Sequence, residues 1–218
     1  MHLVSHNPAR LVPAPQVTKT KAPAVTPADE EKLRAELWQR IERYESRVAA
    51  LILFVLDTGL RAGEVTALRW SDIVETEDGP FVSISRAVSW PAHNRPVLGP
   101  PKSSAGIRMV PLIDSAVQTL ASIPAPHLDG KLIFGTENNT YARQPNVRRM
   151  LVSVCKSAGV PYTSLHSLRR TLSTRLFRAG VPDKIRAQVL GHSSFLITDD
   201  IYISTDQGDA ASAFREHL

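Results

Sequence analysis

Cysteine is nearly missing from this chain: Cys155 is the only one in 218 residues. That excludes an intrachain disulfide and a cysteine-rich zinc site, and it suits a reducing compartment. Long apolar runs are missing too. A membrane span needs about 18 apolar residues, whereas the longest run here, Val48–Leu56, has nine and reads as a buried helix. The N-terminus has no secretory apolar region, because Pro13 and Pro15 interrupt Leu11 and Val12. There is no Gly-rich phosphate loop followed by Lys-Ser/Thr and no His-Glu-x-x-His. No cofactor and no metal is therefore expected.

What is present describes a folded domain. Apolar residues make up 43% and charged residues 22%, which separates the chain from disordered sequences. The length fits one large domain, or one domain with a short appendage, and supports a core without staples. Lys plus Arg number 26 against 21 Asp plus Glu, a net charge of +5. The excess is concentrated. From Tyr141 to His192 ten basic residues accompany a single acid, Asp183. A nucleic-acid partner and a merely solvated basic surface explain that field equally well.

Residues 1–25, rich in Pro and Ala, read as an extended arm. Thr26, Pro27 and Asp29 then form a helix start signal, and Leu33, Leu37 and Ile41 make one helical stripe. A second helix is predicted over 45–58, ended by Gly59 in a left-handed turn, and a short third over 62–68. Phe81, Val82, Ile84 and Val88 predict one strand and residues 107–112 a second, joined by a loop that holds Lys102 at a hairpin tip. Helices are predicted over 114–122, 145–158, 167–179, 182–190 and 207–217. The fold class is α+β, mainly α, with a small antiparallel sheet packed against helices.

Four segments concentrate strong polar groups. In Thr58-Gly59-Leu60-Arg61-Ala62-Gly63-Glu64, a guanidinium stands just after a tight turn, suited to an anion; the plainer alternative is a surface pair of Arg61 with Glu64. Lys102 is either a solvated loop charge or an ammonium that gives a proton to a leaving oxygen. In His166-Ser167-Leu168-Arg169-Arg170, His166 and Arg169 share a helix face. Arg169 can grip a phosphoryl oxygen through two N–H bonds, and His166 can move a proton at neutral pH. Gly191-His192 is followed ten residues after His192 by Tyr202, which taken alone reads as a half-buried packing residue.

In this order the segments resemble the catalytic domain of the tyrosine recombinases, the phage integrase family. The family pattern is an Arg after a Thr-Gly-Leu turn, a hairpin Lys, a His-x-x-Arg, a Gly-His and a nucleophilic Tyr near the C-terminus. The chain supplies Arg61, Lys102, His166, Arg169, His192 and Tyr202. The resemblance covers residue 20 to the end and implies site-specific strand cleavage and rejoining through a 3′-phosphotyrosyl link, with neither metal nor cofactor. It implies double-stranded DNA as partner, a homotetramer on DNA, an accessory DNA-bending protein, and a cytoplasmic, nucleoid-associated setting in a bacterium or phage; the C-terminal tail (203–218) docks either on a neighbour, as the resemblance implies, or on its own domain. It implies that residues 26–218 are the catalytic domain and that residues 1–25 lead in from a DNA-clamping domain, so the chain is expected to be a fragment. Two departures stand out: Pro100-Pro101 stiffens the approach to Lys102, and Asp199-Asp200 puts negative charge close to Tyr202. A type IB topoisomerase-like enzyme and a non-catalytic DNA-binding regulator are the alternatives.

Overall fold

The chain folds from a helical hairpin into two small sheets and back into helices. The computed structural model describes residues 24–91, 95–123, 130–191 and 214–215. The 1–25 arm therefore lies almost wholly outside the described residues, as do His192, Asp199, Asp200, Tyr202 and most of the expected 207–217 helix.

Helix α1 spans Pro27–Tyr44, and its start is the expected one: the Thr26 side chain accepts the Asp29 N–H, with Pro27 in the first turn. Leu33, Leu37 and Ile41 are buried. Helix α2 spans Arg47–Thr58 and begins two residues later than expected, because Glu45 ends α1 in a left-handed conformation and Ser46 caps α2. Every residue from Ala49 to Thr58 is buried, so α2 is the axis of the core. Helices α3 (Ala62–Ala67), α4 (Asp114–Ala121), α5 (Gln144–Ala158), α6 (Leu165–Arg178) and α7 (Asp183–Leu190) follow among the described residues. Among the described residues no helix is long and apolar enough to cross a membrane.

A buried ionic network ties α1, α2, α4 and α6 together. Asp57 accepts from Arg34 at 2.5 Å and from Ser115 at 2.9 Å, while Glu30 accepts from Arg34 and from Arg175, both at 2.9 Å. Removing one member would leave a buried charge without its partner, which is why such networks hold helices in one arrangement.

The β region differs from expectation. Among the described residues it holds five strands in two sheets: β1 (Ile73–Thr76), β2 (Gly79–Ile84) and β5 (Arg108–Pro111) form one antiparallel sheet, and β3 (Ala87–Ser89) pairs with β4 (Val97–Gly99) in another. The strand expected through Val88 breaks after Ile84 because Val88 belongs to a different contact. A Cβ on Gly63 would lie 2.5 Å from the Val88 carbonyl oxygen, so the missing side chain lets β3 press directly on α3. Lys102 is consequently not at a hairpin tip. β4 pairs with β3 and β5 with β2, so Lys102 sits at the junction where the chain returns from one sheet to the other.

Of the tail, Phe214 and Arg215 dock on their own domain. Phe214 is fully buried in the core. Arg215 stacks 5.2 Å from the Phe81 ring centre and donates to the carbonyls of Asp78, Pro80 and Leu112 around the β1–β2 turn. Phe214→Ala is therefore expected to destabilise the isolated chain by about 3–5 kcal/mol in urea unfolding, the usual range for emptying a buried aromatic site. A tail that docked only on a neighbour would leave the monomer's stability unchanged.

Candidate active site

The turn between α2 and α3 is built around Gly59, whose φ of +64° is left-handed. A Cβ there would meet Leu172 and Leu190 at 2.8 Å, so only glycine lets the turn sink between α6 and the end of α7. That placement sets Arg61. Its Nη1 donates to Glu64 Oε1 at 2.8 Å, its Nη2 to the Gly191 carbonyl at 2.7 Å, and its backbone N–H to Glu64 Oε2 at 2.9 Å. The Arg61–Glu64 pair thus exists, but it is not a surface pair. The Glu64 side chain is 1% exposed, whereas that of Arg61 keeps 39%.

Arg169, on the second turn of α6, reaches the same place from the other side. Its Nη1 donates to the Gly59 carbonyl at 2.7 Å and its Nη2 to the Leu190 carbonyl. Arg61 and Arg169 are therefore tied to adjacent carbonyls, Gly191 and Leu190, at the end of α7. Burial, and then the charges of Arg61 and Arg108, push the Arg169 pKa down to about 9, against the opposing pull of Glu64.

Arg108 is the third guanidinium, and the motif reading missed it. It donates from Nη2 to Glu64 Oε2 at 3.0 Å, from Nε to the Val189 carbonyl at 2.7 Å and from Nη1 to the Gly106 carbonyl at 2.9 Å. A signal was available. Arg108 and Val110 are two apart in a strand and share a face. Their cross-strand partners Ile84 and Val82 are core residues. A cation on a core-facing position needs a buried acid, and Glu64 is that acid. Burial would raise the Glu64 pKa; the hydrogen bond and charge of Arg108, then the backbone and side-chain hydrogen bonds of Arg61, more than offset it and hold the carboxyl below the ordinary value.

The remaining described candidates lie further out. His166 is exposed on the first turn of α6, one turn from the buried Arg169. It lines a cleft of about 800 Å³ together with Ala62, Gln144, Arg148, Arg149 and Tyr162. Lys102 is exposed, and Pro101 beside it packs onto Gly106, where a Cβ would lie 2.4 Å from the Pro101 Cβ. The structure thus brings Arg61 and Arg169 together, sets His166 in the cleft that borders α3, and leaves Lys102 on the surface. His192 and Tyr202 are outside the described residues. Among the described residues no three His, Cys, Asp or Glu side chains group as a metal site.

Three guanidiniums around one carboxylate leave two positive charges uncompensated in a largely buried cluster. Such an arrangement favours an anion with several acceptor oxygens. Inorganic sulfate should bind the wild-type chain near neutral pH in titration calorimetry and bind Arg61→Ala or Arg169→Leu far more weakly. Affinity should fall as the pH rises past about 9, since the charged form of Arg169 binds the anion and is the form lost on that side of its pKa. Affinity rising across that range would contradict the assignment.

The family model described as phage integrase family matches residues 25–208. A tyrosine recombinase XerC-like protein of Caldanaerobacter subterraneus subsp. tengcongensis is 30% identical over 176 residues, 72% of this chain and 45% of that protein. The prophage integrase IntR of Escherichia coli is 31% identical over 134 residues, 59% of this chain and 31% of that protein. Across the first three curated relatives the chain spans 31–61% of their length. The Tn1549 transposon integrase, solved in complex with a circular intermediate DNA, superposes with a TM-score of 0.67 at 22% identity over 82% of this chain and 61% of that one. That likeness establishes the fold.

Proposed function

The chain belongs to the phage integrase family, and from that premise we propose that residues 26–218 are the catalytic domain of a site-specific DNA recombinase, with residues 1–25 as an arm before it. The observation that carries this reading is the cluster of Arg61, Arg108 and Arg169 about Glu64, which holds two more positive charges than negative ones.

Cleaving a phosphodiester takes the phosphate from one negative charge toward two in the pentacoordinate transition state. Arg61 and Arg169 stabilise that charge; losing one such donor costs roughly 3–4 kcal/mol of transition-state stabilisation. The Tyr202 hydroxyl attacks phosphorus. Free tyrosine titrates near about pH 10, so the proton must leave during attack, and His166 accepts it. The bond from phosphorus to the 5′ oxygen breaks, and Lys102 gives that oxygen a proton. His192 bonds a phosphate oxygen and steers the scissile group. The product is a 3′-phosphotyrosyl ester with a free 5′ hydroxyl. Bond energy is kept in the ester, so a second 5′ hydroxyl can reverse the chemistry onto a different strand without a nucleotide cofactor.

Double-stranded DNA is the partner, consistent with the basic stretch 141–192 and with Arg148 and Arg149 beside His166 on the cleft. Exchange of two duplexes calls for four copies, a homotetramer on DNA, with an accessory DNA-bending protein shaping the site. Assembly through the tail would have to release Phe214 from its own core. The setting is the cytoplasm, on the nucleoid.

Covalent capture tests the proposal. The full chain is incubated with a library of nicked duplexes, in which the short fragment that leaves with the free 5′ hydroxyl diffuses away after cleavage. Wild type should form a protein–DNA adduct on a subset of sequences, while Tyr202→Phe, Arg61→Ala and Arg169→Ala form none and retain DNA with modest loss. Absence of adduct from wild type on every duplex would overturn the proposal in favour of a DNA-binding regulator. Sequence-independent relaxation of supercoils would point to a topoisomerase.

A further inference from the structure

The role of Arg108 is fixed by neither its exposure nor the cleft. Its side chain is 4% exposed, against 39% for Arg61. All three guanidinium nitrogens already donate to protein acceptors from three different segments: Glu64 on α3, Gly106 before β5, and Val189 at the end of α7. The Gly191 turn presses on it as well. A Cβ on Gly191 would lie 3.0 Å from Arg108 Nη1 and 2.7 Å from the Ala105 carbonyl oxygen. Arg61 shares Glu64 with Arg108, donating from Nη1, and is also held by the carbonyl of the same Gly191 turn, to which it donates from Nη2.

We propose that Arg108 is a positioning residue for strand cleavage: it fixes the buried Glu64 carboxylate that aims the Arg61 guanidinium, and it pins the end of α7 from which the chain runs on to His192. This deepens the recombinase reading and rests on it. Without Arg108 the Glu64 carboxylate keeps only Arg61, through its backbone N–H and Nη1, and loses its tie to β5. The end of α7 loses its tie to β5, the strand that follows Lys102. Lysine cannot replace it, because one ammonium cannot reach three acceptors arranged around a planar fork. A group that orients a catalytic side chain acts on the chemical step, since ground-state DNA binding is spread over many phosphate contacts.

The test uses the full chain and a nicked duplex selected by wild-type covalent capture. Single-turnover adduct formation, duplex affinity and melting temperature are measured for wild type, Arg108→Lys, Arg108→Gln, Glu64→Gln and the Arg108→Gln/Glu64→Gln pair. Arg108→Lys and Arg108→Gln should slow adduct formation about 10–100-fold, the usual effect of removing an orienting partner, and leave the duplex Kd within about threefold. The double variant should be no slower than the slower single variant, because both substitutions remove the same constraint. A wild-type rate in either Arg108 variant, equal losses in rate and affinity, or losses that multiply in the double variant would each overturn the proposal. If Arg108→Gln does not fold, Arg108→Lys, which keeps charge and stem, decides alone. If wild type forms no adduct on any duplex, the cleavage reading has failed, and Arg108 is judged by inorganic sulfate. Weaker sulfate binding in Arg108→Lys by about tenfold upholds its positioning role, and unchanged binding ends it.

Discussion

A carboxylate removed from water must be neutralised or paired, and Glu64 is paired from two sides. Arg61 reaches it from its own turn of chain and Arg108 from a strand more than forty residues away. Removing one partner of a buried pair typically costs about 3–5 kcal/mol, because the other charge is left stranded. Glu64 therefore does more than stabilise α3. It is the fixed point against which the α2–α3 turn, the start of β5 and the end of α7 are aligned. The positive charge that remains after this pairing favours an anion with several acceptor oxygens.

The architecture supplies the rest by close approach. Gly59 lets its turn sit between Leu172 and Leu190, Gly63 lets α3 meet β3, and Gly191 lets the end of α7 lie on Ala105 and Arg108. Each contact is one a side chain would block. Together they bring segments centred on residues 60, 106, 169 and 190 to one locus although α2, β5, α6 and α7 are dispersed along the chain. Stability of the fold and geometry of the site rest on the same few contacts, so substitutions there should disturb both.

Much of this was legible in the sequence because it depends on local signals. The Thr26–Pro27–Asp29 start, the Leu33–Leu37–Ile41 stripe and the left-handed Gly59 all follow from capping and periodicity, and the structure carries them as read. The β region was less legible. Ser85–Arg86 carries no turn signal, so the break between β2 and β3 arises from the tertiary contact of Val88 with Gly63. The misplaced Lys102 follows from the same cause: two strands read as a hairpin are in fact separated by a second pair of strands. In the site, Arg61 and Arg169 were found through their motifs. The burial of Glu64 was not, since a Glu three residues after an Arg on a short helix looks solvated until its second partner is known. Arg108 escaped because it carries no motif, only an awkward position in an apolar strand.

Family membership and the arginine cluster lead to one central claim, that Arg61 and Arg169 serve to neutralise charge on a scissile phosphate. The most direct measurement replaces that phosphate's charge instead of the protein's. On a nicked duplex whose scissile phosphate is a neutral methylphosphonate, Arg61→Ala and Arg169→Ala should regain covalent adduct formation that they lack on the ordinary phosphate, because the charge they were needed to offset is gone. If both variants stay as inactive on the neutral substrate as on the charged one, the arginines do something else and the account fails.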